Sequence, residues 1–143
     1  MSQKNFLKVN SDLTALDKVQ AWFREFYQAH CQKISLSKQQ YYRLNLALAE
    51  GFTNAVRHAH RDKPPETPIE LELGLEDDRL EIRIWDYGDP FNPDGIKEPE
   101  PGTLKLHWGW FLLRRLADRV TYDRDSDNRN CLIIVQHANP GQS

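Results

Sequence analysis

Leu48-Ala49-Glu50-Gly51-Phe52-Thr53-Asn54-Ala55-Val56-Arg57-His58-Ala59 is the stretch that decides the fold. Tyr41, Leu44, Leu48, Phe52, Ala55 and Ala59 recur at helical spacing, so one face of a helix over about 38–60 turns toward a core. At ~100° per residue, Glu50, Asn54 and Arg57 fall on the opposite side, close to one another. A carboxylate and an amide placed this way can act as a proton acceptor and as an oxygen ligand for a metal. Taken alone, the same three residues read more readily as a solvated polar face. Asp86-Tyr87-Gly88 follows about thirty residues on, at the end of a strand pattern. An Asp-x-Gly there can offer an acceptor to a purine and let the backbone approach it, or can simply turn the chain. Together, in this order and spacing, the two motifs point to an ATP site.

Working outward, Phe6–Val9 reads as a short strand, and Asp12 as the N-cap of a helix running to about Gln32. Leu13, Leu16, Val19, Phe23 and Phe26 form its apolar stripe. Ser37 with Gln40 three residues later is a capping box that opens the decisive helix. Asp62–Pro68 breaks it, with three prolines in seven residues. Ile69, Leu71, Leu73 and Leu75, then Leu80, Ile82 and Ile84, alternate on either side of Glu76-Asp77-Asp78-Arg79, which predicts an antiparallel hairpin. Residues 88–106 hold four prolines and three glycines without a period, and a loop of that length suits a lid, about 88–107. A third helix begins near His107 and carries Phe111, Leu112, Leu113, Leu116 and Ala117. Val120–Tyr122 and Leu132–Val135 are two closing strands. The order β-α-α-β-β-loop-α-β-β predicts an α+β, two-layer sandwich with helices on one face of a mainly antiparallel mixed sheet, in a single domain over 1–143.

Composition narrows the function classes. With 143 residues, 39% hydrophobic, 28% charged and a net charge of −2, the chain has the make-up of a soluble globular domain. It lacks the basic excess of a nucleic-acid binder, so no direct nucleic-acid partner is expected. No apolar run approaches the ~20 residues of a membrane span, and the first residues lack the apolar stretch of a signal peptide. Cys31 and Cys131 stand alone without metal-type spacing, so a reduced, cytoplasmic setting is expected. His58-x-His60 has no third ligand at a zinc-like spacing, which favours structural or surface roles. Trp22, Phe23, Phe26 and Tyr27 offer more aromatic surface than one stripe needs. They suggest a partner or homodimer interface, with core packing the reading for Phe23 and Phe26.

Glu50 to Val135 resembles the Bergerat-fold ATPases, the superfamily of gyrase, Hsp90-type chaperones, sensor histidine kinases and mismatch-repair proteins. Within it the chain is most similar to the anti-sigma-factor serine/threonine kinases, whose N-terminal strand and helix it also shares. Glu50-Gly-Phe-Thr-Asn54-Ala-Val-Arg-His58-Ala is close to that family's N-box. Asp86-Tyr-Gly88-Asp-Pro-Phe91 resembles its first glycine box, and His107-Trp-Gly109-Trp-Phe-Leu-Leu-Arg-Arg-Leu-Ala-Asp118 the second. The resemblance implies that Glu50 is the base for the attacking hydroxyl and that Asn54 ligates Mg²⁺. It further implies that Arg57 reaches a phosphate, that Asp86 accepts from the adenine amino group and that Gly88 allows close approach. Gly109, with the amides after it, would offer N–H groups to phosphates. The chain departs from the pattern at His107, which stands where a glycine is usual, and at Trp110, which replaces Leu or Met. It also departs in a lid rich in proline, and in Asn130-Cys131-Leu132, where many members carry a Thr near the adenine.

Two functions follow from the resemblance. One is a kinase that uses ATP and Mg²⁺, sequesters a sigma factor and phosphorylates a STAS-type antagonist. The other is a non-enzymatic partner-switching protein of the same fold with weak or lost nucleotide binding. A sensor histidine kinase module is disfavoured, because no dimerisation helix with a phospho-acceptor His precedes the N-box.

Overall fold

The computed structural model describes residues 3–30, 36–76, 78–90 and 108–138. Strand β1 (Gln3–Asn10) leads through a 3-10 turn (Leu13–Ala15) into helix α1 (Leu16–His30), and Asp12 caps the turn by accepting from the Thr14 N–H at 2.9 Å. Helix α2 (Lys38–Asn54) opens on the capping box read from the sequence. Ser37 Oγ accepts from Gln40 N at 3.1 Å and Gln40 Oε1 accepts from Ser37 N at 2.8 Å. A cap of this kind contributes about 1 kcal/mol.

Strands β2 (Pro68–Glu76) and β3 (Arg79–Asp86) form the predicted hairpin. Helix α3 (Trp108–Leu116) then leads to β4 (Arg119–Arg124) and β5 (Asn130–His137). The five strands run in the order β1-β2-β3-β5-β4. Every pairing among them is antiparallel, so the parallel component of a mixed sheet does not occur among the described residues.

Period-two alternation decides which side of the sheet is covered. Leu71, Leu73, Ile82, Ile84 and Ile134 face the helices and are buried, together with Leu44, Leu48 and Phe52 from α2 and Val19 and Phe23 from α1. Full burial of each such side chain stabilises the fold by roughly 1.5–3 kcal/mol. The other side carries a polar ladder that includes the pairs Lys4–Glu72 at 3.7 Å and Arg83–Glu81 at 3.2 Å. There the Arg129 guanidinium also lies over the Trp85 ring, 5.3 Å from its centroid.

Of the aromatic residues of α1, Phe23 and Phe26 belong to the core while Trp22 and Tyr27 stay half-buried. Phe23 and Phe26 are buried, Tyr27 stacks on Tyr41 at 4.2 Å, and Trp22 Nε1 donates to Asn5 Oδ1 at 2.8 Å. No described helix is long and apolar enough to cross a membrane.

Helix α2 lies directly on the sheet because residue 51 has no side chain. A Cβ there would stand 2.8 Å from Leu132 Cδ2 and 2.9 Å from Ile84 Cδ1. Past Asn54 the helix widens into a π turn (Ala55–Ala59), closed by the His60 N–H donating to the Ala55 carbonyl at 2.9 Å.

Candidate functional site

A cavity of about 450 Å³ opens between α2, the end of β3 and α3. Gly51, Asn54 and Ala55 form one wall, Ile84 and Asp86 the floor, and Trp110 and Leu113 the wall opposite. Helix and strand residues that are 32 apart in sequence thus meet on one void, as the two motifs required. Glu50 and Asn54 are half-buried and Arg57 is exposed. Of these three only Asn54 lines the cavity. The basic groups on its rim are His58, Arg61 and Lys63, which the motifs did not single out. Gly109 lies in the first turn of α3. His107 lies outside the described residues, as does most of the expected lid.

Asp86 closes β3 and is buried. Its Oδ1 accepts from the Gly88 N–H at 2.9 Å and from Asn130 Nδ2 at 2.9 Å, and its Oδ2 accepts from the Tyr122 hydroxyl at 2.7 Å. The Asn130 amide is itself oriented, because Arg124 Nη1 donates to Asn130 Oδ1 at 3.4 Å and to the Gly88 carbonyl at 3.0 Å. Asn130 Nδ2 also reaches the Gly88 and Asp89 carbonyls, each at 3.1 Å. Burial raises the pKa of Tyr122 well above its ordinary value and the Asp86 carboxylate adds to this, so the hydroxyl keeps its proton and donates. Tyr122 and Arg124 escaped sequence reading, and Asn130 was read only as standing where a Thr near the adenine is usual, not as a partner of Asp86. The available signal was register, since Asn130 pairs with Asp86 across β3 and β5 in the same inward row as Leu132 and Ile134.

His60 holds the same loop from the other side. Tyr87 N–H donates to His60 Nε2 at 2.8 Å, which leaves the ring proton on Nδ1, 3.1 Å from Ser11 Oγ. Burial lowers the His60 pKa, Asp86 opposes the shift and Lys63 adds to it. A regular helix would have put residue 60 on the same side as Thr53, seven residues back. The π turn and the non-helical backbone of His60 turn it inward instead, where it is buried.

The sign of the pH effect follows. Below the ordinary histidine value of about 6.5, the unfolded chain takes up a proton that the folded ring resists. The stability from His60 is therefore complete above that pH and declines as pH falls through it. Urea midpoints measured from pH 7.5 down to 5 should fall in the wild type, and His60→Gln should flatten part of that decline. Parallel curves would mean that His60 titrates freely. Cys131 is buried with its thiol pushed up to about 12, which makes it an inert packing group.

Gly88 meets the end of the helix at a distance only a glycine allows. A Cβ would sit 2.7 Å from the Ala59 carbonyl oxygen and 3.0 Å from its Cα, both backbone atoms that cannot swing aside. Gly88→Ala should lift the loop off the helix and destabilise the protein by roughly 1–3 kcal/mol. Chemical denaturation measures this, and an unchanged midpoint would refute the contact.

The cavity suits a nucleotide. Its lining combines the Asn54 amide and the Asp86 carboxyl group with basic side chains at the rim and apolar walls between. Trp110, on one wall, has its indole Nε1 buried without a hydrogen-bond acceptor among the described residues, at a cost of about 1–3 kcal/mol.

Comparison with known proteins agrees with this geometry. Serine-protein kinase RsbW of Oceanobacillus iheyensis is 36% identical over 86 residues, covering 54% of this chain and 54% of that protein. RsbW of Bacillus velezensis is 39% identical over 92 residues, covering 58% and 57%. The chain spans about half the length of the curated relatives it matches. The crystal structure of the RsbU and RsbW domains of a Mycobacterium tuberculosis protein superposes with a TM-score of 0.68 at 14% identity. It covers 98% of this chain and 34% of that one, a likeness of fold. The model of the histidine kinase-like ATPase domain matches residues 10–136, nearly the whole of the described fold. The chain therefore belongs to the histidine kinase-like ATPase domain family.

Proposed function

We propose that the chain is a regulatory serine/threonine protein kinase of the anti-sigma-factor type. In this reading it binds ATP with Mg²⁺ in the cavity, switches between a sigma factor and a STAS-type antagonist, and phosphorylates the antagonist. It works in the cytoplasm as a single domain over 1–143, with a lid at about 88–107. The observation that carries the reading is the meeting of Asn54 and Asp86 on one cavity beneath the start of α3. The likeness to proteins named serine-protein kinase RsbW supports the choice of reaction.

Phosphoryl transfer depends mainly on positioning and charge stabilisation, so few protein groups are needed. ATP with Mg²⁺ supplies the transferable phosphoryl group when bound. Asn54 holds the metal through its amide oxygen, and one protein ligand suffices because Mg²⁺ keeps several waters. Glu50 accepts the proton of the attacking hydroxyl. Asp86 accepts from the adenine amino group, and Gly88 lets the backbone approach the base. His107 and the amides from Gly109 onward contact phosphates, with Arg61 and Lys63 adding positive charge at the rim, while Arg57 lies outside the cavity.

Calorimetric titration with ATP and Mg²⁺, followed by transfer of radiolabel from ATP to candidate STAS-type antagonists, tests this reading. Saturable binding with label on an antagonist serine or threonine is expected. Binding without transfer to any antagonist would replace the kinase by the non-enzymatic partner switch, and absence of binding would reject both nucleotide roles.

A further inference from the structure

We infer that Tyr122, together with Asn130, holds Asp86 as a fixed single acceptor that admits a 6-amino purine and turns away a 6-oxo purine. The inference rests on the nucleotide reading above and goes beyond it, because it assigns base selectivity to residues on β4 and β5.

An ionised carboxylate has about four lone-pair positions and no donor. Three of them are taken by the Gly88 N–H, Asn130 Nδ2 and the Tyr122 hydroxyl. One acceptor position is left, on a group that lines the cavity. The carboxylate cannot rotate to offer another, because both of its oxygens are tethered. Tyr122 cannot turn its own donor toward a ligand without leaving Asp86 Oδ2, and Asn130 is held in orientation by Arg124. A 6-amino purine presents an N–H to the remaining position. A 6-oxo purine presents its oxygen to a buried carboxylate whose three donors are already engaged. An unpaired contact of that kind is strongly unfavourable.

Tyr122 is thus a positioning residue, and its effect should appear in the choice between bases. ATP and ITP differ at C6 and in the N1 proton that goes with the 6-oxo group, so the ratio of their affinities reads the acceptor that faces this edge of the base. Wild type should prefer ATP. Tyr122→Phe removes only the hydroxyl; it frees one carboxylate oxygen to rotate and to take up a water that can either donate or accept. The ATP-over-ITP preference should then fall by about tenfold, the equivalent of one hydrogen bond to a charged group. A merely structural role would weaken both nucleotides alike, and an unchanged ratio overturns the inference while leaving nucleotide binding in place. Wild type that binds neither nucleotide overturns the underlying reading as well.

Should Tyr122→Phe fail to fold, Asn130→Asp carries the test. It sets a second carboxyl group where the amide now lies 2.9 Å from Asp86 Oδ1. Two carboxyl groups in contact share a proton, and that proton can be donated to a 6-oxo group. The preference for ATP should shrink, and more so at lower pH. An unchanged preference at both pH values overturns the inference.

Discussion

Glu50→Gln should keep ATP and slow phosphoryl transfer by ~10²–10⁴-fold, the range for loss of a general base. Glutamine preserves the size of the side chain and its place on α2, one turn before Asn54. Glu50 does not line the cavity, so the substitution leaves the nucleotide's walls untouched. Its expected partner is the hydroxyl of the protein substrate. Single-turnover transfer to an antagonist, with ATP affinity measured alongside, separates the two effects. Equal transfer rates in wild type and variant would remove Glu50 from the reaction.

Asn54→Ala should do the opposite, removing Mg²⁺-dependent nucleotide binding while the protein stays folded. Changes to groups that merely support a metal ligand typically cost 10–100-fold in metal affinity, so loss of the only proposed protein ligand should reach about a hundredfold or more. The fold should tolerate it. Asn54 is half-buried at the end of α2, and alanine is the better helix former by a few tenths of a kcal/mol. Calorimetry with and without Mg²⁺ is the measurement, beside a thermal melt. Unaltered affinity for ATP with Mg²⁺ would reassign the metal ligand.

The helices and hairpin were legible because their signals are local. Ser37 and Gln40 are three residues apart, and the alternation of Ile69–Leu75 and Leu80–Ile84 needs no knowledge of the rest of the chain. Asn54 and Asp86 were legible by spacing and resemblance, and the structure brings both to one cavity. The supports of the site were hidden because they depend on pairings far apart in sequence. Tyr122 and Asn130 reach Asp86 from 36 and 44 residues away, and their role exists only once β3 and β5 are in register. Arg57 was read as a neighbour of the site from helical angle and resemblance. It lies on the exposed side, and His58 and Arg61 reach the rim through the π turn and the break that follows it. His60 shows the limit most clearly, since a regular helix would have left it in solvent.

Gly51 has a consequence for how the two halves of the cavity are kept in gauge. Asn54 belongs to the helical layer and Asp86 to the sheet, and no covalent link shorter than 32 residues fixes the gap between them. What sets that gap is how far α2 can settle onto Leu132 and Ile84, and residue 51 is the point where the layers touch. A single methyl group there would act as a shim, and the aliphatic tips of Leu132 and Ile84 would have to turn aside to clear it. Any part of the strain that those tips do not absorb would lift or tilt the helix and change the gap between Asn54 and Asp86. The missing Cβ at position 51 is in this sense the ruler of the pocket.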